Sequence, residues 1–198
     1  MENAKVGFGK LFTAEILIII GSFVTLVPRN LWYLGLAFIV VDIVAFFMNL
    51  KGLKLMAKDL EGYNKAYKFA LAGIVLDIVT LILCFVFNNN TQVGTVINNT
   101  SKVLSNAIEF GIAFLVLKTS VEYLTSKGNT VLAKYADTTK NLLNVAYCIS
   151  ILLDVFVSFK GETWVALIAI VAALVAIVFL LVGQVRYISF LKKMNEAL

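Results

Sequence analysis

The sequence predicts an all-α fold: a polytopic transmembrane bundle of six spans, built from three tandem two-span repeats with approximate internal threefold symmetry. Three observations carry this prediction. The first is composition: 61% of the 198 residues are hydrophobic, 15% are charged and the mean hydropathy is +0.93, whereas soluble chains run roughly 45–50% apolar and about 25% charged. The second is a series of six apolar runs, which at ~20 residues each would occupy about 120 positions. The third is an internal match between segments 76 residues apart.

Taken in order, Leu11 to Val27 forms the first run and Leu31 to Leu50 the second, with only a short connection at Pro28. The first lacks a small-residue cleavage pattern and leads straight into another span, so it reads as a retained helix rather than a cleavable signal. After Gly52, the residues Leu53, Met56, Leu60, Tyr63 and Tyr67 recur at spacings of three and four, opposite a favourable Glu61 to Lys65 pair. This predicts an amphipathic helix that lies in the interface or extends the second span into the cytoplasm. Tyr67 to Phe87 is the third run. The Asn-, Thr- and Gly-rich stretch Asn88 to Ser101 is expected to be a solvated loop, with sequons at Asn89, Asn98 and Asn99 that matter only where surface proteins are glycosylated. Ile108 to Leu124 is interrupted by Glu109, Lys118 and Glu122 and is accepted as the fourth run because the repeat supports it. Leu142 to Phe159 and Trp164 to Val185 complete the six.

Positive charge orients the chain, because Lys and Arg near span ends are retained on the cytoplasmic side. Lys5, Lys10, Lys51, Lys54, Lys58, Lys65, Lys68, Lys118, Lys127, Lys134, Lys140, Arg186, Lys192 and Lys193 fall on one side or in the fourth span, against Arg29, Lys102 and Lys160 on the other. Both termini are therefore expected in the cytoplasm. The setting is the plasma membrane, with a bacterial inner membrane preferred.

The repeat aligns Gly35 to Lys58 with Gly111 to Lys134 without a gap. Its identities include Ala37/Ala113, Lys51/Lys127, Gly52/Gly128, Ala57/Ala133 and Lys58/Lys134. One inserted residue carries the match on to Asp77/Asp154, and a weaker first copy places Thr25 at the same position. Units of about 4–56, 57–132 and 133–198 within one integral membrane domain would be parallel repeats about an axis along the membrane normal. Small residues, Gly21, Gly35, Gly73 and Gly111 and the series Ala169, Ala172, Ala173 and Ala176, would let the backbones approach. Trp32, Tyr33 and Trp164 suit the outer aromatic belt and Tyr187 the inner one.

Several chemistries are excluded by residue type. There is no histidine, which removes HExxH metal sites and His-dependent triads. Cys84 and Cys148 lie in apolar runs without CxxC spacing and are read as core packing, so no metal or cofactor is expected. Enzymatic activity is not expected either, since the acids lack the Tyr-Asp or Gly-x-Gly-Asp context of intramembrane aspartyl proteases. The basic residues flank apolar segments and fit topology rather than nucleic acid.

The functional signal is acidic residues inside apolar runs: Glu15, Asp42, Asp77, Glu109 and Asp154. An ionised carboxylate in hydrocarbon costs several kcal/mol, so such groups face the interior, pair or stay protonated. Glu15, Glu109 and Asp154 lie close enough to an interface to be solvated. Asp42 and Asp77 are about ten residues into their spans, near the midplane at ~1.5 Å per residue. Asp42 and Lys118 occupy equivalent repeat positions, which allows either a structural salt bridge or a gate. Asp77 and Asp154, with Thr25 completing the set, would share a proton or a cation, or each bond separately to groups such as Thr80, Asn144 or Ser150. The first functional expectation is a transport protein, carrier or channel, whose polar track includes Asp42, Asp77, Lys118, Asp154 and Thr25 and whose substrate is a small ion or molecule. The alternative is a non-transporting membrane subunit, immunity protein or assembly factor that docks to a partner complex or to itself. Beyond the lipid bilayer, the sequence names no partner.

The topology is testable by single cysteines placed in a Cys-free background. Cysteines at Lys54 and Lys193 are expected to resist a membrane-impermeant maleimide in intact cells, and one at Asn90 to react.

Overall fold

The computed structural model describes residues 2–22, 32–86, 92–157 and 163–198. Among them it consists of six helices and no strand: α1 Glu2–Ser22, α2 Trp32–Met56, α3 Glu61–Val86, α4 Gln92–Ser126, α5 Thr130–Val157 and α6 Thr163–Ala197. The described part of each of the six apolar runs falls on one helix. Val171–Ala197 of α6 is long and apolar enough to cross a membrane.

Two expectations are corrected. The Asn-rich segment is helical from Gln92 onward rather than a loop. Once a helix is nucleated, each further residue adds a backbone hydrogen bond without a new nucleation cost, which offsets the few tenths of a kcal/mol that Asn and Thr lose in propensity. After Gly52 the expected interfacial helix does not form, and the other expected reading, an extension of the preceding helix, is what α2 does as far as Met56. A turn occupies 57–60, and α3 starts at Glu61. Leu53, Met56 and Tyr63 are fully buried, so their spacing serves a protein core instead of a membrane surface.

The described chain divides into two compact units, residues 1–67 with 187–198 and residues 68–186, whose boundaries fall inside α3 and α6. In the first unit α1 and α2 meet at Gly7 and Gly52. A Cβ on Gly7 would lie 2.8 Å from the Gly52 carbonyl oxygen and one on Gly52 would lie 2.9 Å from the Gly7 carbonyl oxygen, with Met56 and Leu11 side chains closer still. Only glycine at both positions permits this approach. One residue on, Phe8 makes edge-to-face contacts with Tyr63, centroids 5.8 Å apart, and Phe190, 6.2 Å apart. Such pairs add about 0.5–1.5 kcal/mol to area burial. Leu11, Leu53, Leu191 and Met194 fill the same core. Tyr187, expected in the aromatic belt, is instead 3% exposed, because its ring belongs to the buried stripe that continues through Phe190, Leu191 and Met194.

In the second unit α4 and α5 form a hairpin closed by Lys127, Gly128 and Asn129. The Asn129 N–H donates to the Leu124 carbonyl (2.9 Å) and the Gly128 N–H to that of Thr125 (3.1 Å), the paired bonds of a Schellman helix stop. Gly128 has φ 75°, a left-handed conformation that disfavours side chains. The Asn129 side-chain oxygen then accepts the Leu132 N–H at 3.2 Å and caps α5. The sequence equates Gly52 with Gly128, yet Gly52 is helical and buried while Gly128 is exposed in a turn. α2 runs past the point at which α4 stops.

Small residues line the buried stripes of this unit. Ala133, Ala136, Thr139, Leu143 and Ala146 recur along α5, and Ala113, Val116, Leu117 and Ser120 along α4. Gly183 of α6 seats Leu143, whose Cδ2 would lie 2.6 Å from an added Cβ. Cys148, expected in the core, is exposed on α5, since it falls outside the stripe that contains Tyr147.

Replacing Gly52 by alanine should destabilise the protein by about 1–3 kcal/mol through overpacking against backbone. Gly128→Ala should cost about 1 kcal/mol through its dihedral alone. Thermal unfolding in detergent should show the larger loss for Gly52→Ala, and equal losses would contradict the proposed close crossing.

Candidate functional site

The outward faces of α3 and α6 are apolar stripes at helical spacing. On α6, Val171, Leu174, Val178, Leu181 and Val185 are exposed at steps of three and four, and on α3 so are Leu71, Val75, Ile78, Ile82 and Val86. Large side chains cover these two outward stripes, while the buried faces mix large residues such as Phe8, Tyr63, Leu117 and Phe190 with alanine and hydroxyl residues. An exposed apolar stripe of this length needs a partner surface or a lipid one.

Within this frame the expected site residues divide. Asp42 lies on α2, Asp77 on α3 and Asp154 on α5, but their side chains lie outside the described residues, as does Thr25 altogether. Lys118 lies on α4 and is exposed, and it forms no ion pair with any described residue, Glu122 included. The described residues around these positions are mixed in exposure: on α2 Ile43 is 51% exposed and Ala45 fully buried, and on α3 Ile78 is 54% exposed. Glu109 is exposed and Glu15 half-buried.

Unmet buried polar atoms appear on α2, α5 and α6. Among the described residues the Asn49 Oδ1, Asn144 Oδ1 and Gln184 Oε1 atoms are buried and accept no hydrogen bond. Asn144 is one of the groups expected to partner the aspartates, and the other two were not singled out by the spacing pattern. An unmet buried acceptor costs about 1–3 kcal/mol. Nearby in sequence, the fully buried Thr139 donates its hydroxyl to the Tyr135 carbonyl at 2.8 Å. Arg186 brings its Nε to Thr139 Oγ1 at 3.4 Å and lays its guanidinium over the Tyr135 ring, 4.5 Å from the centroid. The Tyr135 hydroxyl in turn donates to the Arg186 carbonyl at 3.4 Å. No local sequence rule links residues 135, 139 and 186. Only the antiparallel packing of α5 on α6 brings them together.

A second polar contact lies in the first unit. The Asp59 carboxylate accepts the Ala4 N–H at 2.8 Å and the Asn3 Nδ2 at 3.0 Å, so the turn after α2 caps the start of α1. Burial pushes the Asp59 carboxyl up, the bonds from Asn3 and Ala4 pull it down, and the net position is below its ordinary value of 3.8. Among the described residues no group of three His, Cys, Asp or Glu gathers to hold a metal ion.

No protein-family model matches this sequence, and no curated protein or solved structure shows significant similarity to it.

Because its native value is depressed, Asp59 contributes stability that is fully present above pH 3.8 and is lost as pH falls through the lower native value. Asp59→Asn should lower stability at neutral pH by about 1 kcal/mol, as for loss of a helix cap. It should also flatten the acid limb of a urea-unfolding series, and an unchanged acid limb would remove Asp59 from the pH response.

Proposed function

We propose that this chain is a six-span plasma-membrane protein with both termini in the cytoplasm, and that it transports a small ion or small molecule. The observation that carries the reading is polar chemistry held inside helices whose outer faces are apolar. Among the described residues Asn144 and Gln184 keep unmet acceptors in the interior, and Asp42, Asp77 and Asp154 interrupt apolar runs. A purely structural interior would satisfy such groups with one another, since each unpaired acceptor weakens the fold. A transport track leaves them for water or a substrate to meet in passing.

In this proposal the six helices all span, and α3–α4 and α5–α6 descend from one duplicated two-span unit, with α1–α2 a weaker first copy. Support comes from the shared Lys-Gly and Ala-Lys residues and from the described part of each apolar run falling on its own helix. Lys118, exposed on α4, serves the track as its cationic member.

Liposomes containing the purified protein should conduct or exchange a small ion or solute above protein-free controls. Asp42→Asn and Asp77→Asn should each reduce that flux about tenfold or more. Undiminished flux in both variants would take these residues out of the mechanism. Flux equal to protein-free liposomes, together with a stoichiometric membrane partner in mild detergent, would establish the non-transporting subunit instead.

A further inference from the structure

Arg186 is the last residue of the second unit, directly after the apolar run that ends at Val185. A guanidinium carries five N–H donors in a planar fork. Here Nε is used by Thr139, one face is covered by Tyr135, and the four N–H groups on the two Nη atoms meet no acceptor among the described residues. The nearest acid along α5, Asp137, is already held by Lys140 at 2.6 Å, with Asn141 at 3.5 Å. Arg186 is half-buried, so part of its hydration is gone and no carboxylate has replaced it. The ring and the hydroxyl fix the plane of the group, and Thr139 is itself immobilised by full burial and its bond to the Tyr135 carbonyl. The fixed plane leaves the Nη edge presented for a bidentate oxyanion.

We infer that Arg186, oriented by Tyr135 and Thr139, is a binding site for a phosphate group, drawn from a phospholipid headgroup of the inner leaflet or from free phosphate. Lys134, exposed one residue before Tyr135, adds positive potential on the same helix end. The position suits a headgroup, because the apolar stripe of α6 ends at Val185 and a lipid lying along it brings its phosphate to the level of the next residue. The lipid source rests on the membrane reading proposed above. The free-phosphate source does not, and neither requires transport.

The test uses the full chain in neutral detergent and reads thermal unfolding against inorganic phosphate, short-chain phosphatidylglycerol and short-chain phosphatidylcholine at matched ionic strength. A saturable rise in Tm is expected with phosphatidylglycerol, with inorganic phosphate, or with both. A response to the lipid alone assigns the headgroup, and a response to inorganic phosphate assigns the free anion. Arg186→Gln should abolish the response. Arg186→Lys, which keeps the charge and preserves folding, should weaken it about tenfold because an ammonium cannot reproduce the fork. Lys192→Gln, an exposed change outside the cluster, should leave it intact. No saturable shift with any probe overturns the site, as does an unaltered response in Arg186→Lys. Equal loss in Lys192→Gln also overturns it, by reducing the effect to diffuse charge. Flux is not read in this experiment, so its failure leaves the transport proposal standing.

Discussion

Close approach of helix backbones is the constraint from which the rest of the described structure follows. An α-helix satisfies its interior N–H and carbonyl groups within its own segment, so the six described helices adhere through their side chains, and small residues set how near they come. Gly7 against Gly52 brings two backbones close enough for the carbonyl of each to limit the other, and that closeness places Phe8 between Tyr63 and Phe190. In the second unit Gly183 leaves room for the Leu142 and Leu143 side chains, and the buried alanines of α5 extend the seam. Dispersion contacts between these closely fitted surfaces add to the cohesion.

The polar turns settle what helices leave unsatisfied at their ends. Gly128 and Asn129 stop one helix and start the next within three residues. Asp59 works over a longer range, offering both carboxylate oxygens to the first turn of α1. Charge at these turns therefore has a structural use apart from topology, and replacing a turn residue disturbs two helices at once.

The sequence made some of this architecture legible. Periodicity and hydropathy located all six helices, because an apolar run of that length has few alternatives. Spacing alone could not say whether Leu53, Met56 and Tyr63 faced lipid headgroups or protein, since both environments select the same pattern; nor could composition foresee that Gln92 to Ser101 would join α4, where propagation from a neighbouring helix outweighs weak local preference. Tyr187 and Cys148 exchanged their expected places for a related reason: helical phase, and not hydrophobicity, decides which side of α5 or α6 is covered. The candidate site was legible as a set of misplaced charges, of which Lys118 is exposed. The Arg186, Tyr135 and Thr139 cluster was invisible beforehand because its members are distant in sequence, and each has an ordinary explanation when read alone.

The first unit is discontinuous, and this governs the order in which the molecule is completed during synthesis. Residues 68–186 are contiguous, so the second unit has all its parts before the ribosome has made the segment that finishes the first. α1 and α2 are made before the second unit, yet Phe8, with Tyr63 as its earlier ring partner, waits for Phe190 while residues 68–186 are synthesised. The helices of the first unit thus acquire a finished interior only after the contiguous unit has been made, and a ribosome that stalls before Phe190 leaves that interior open.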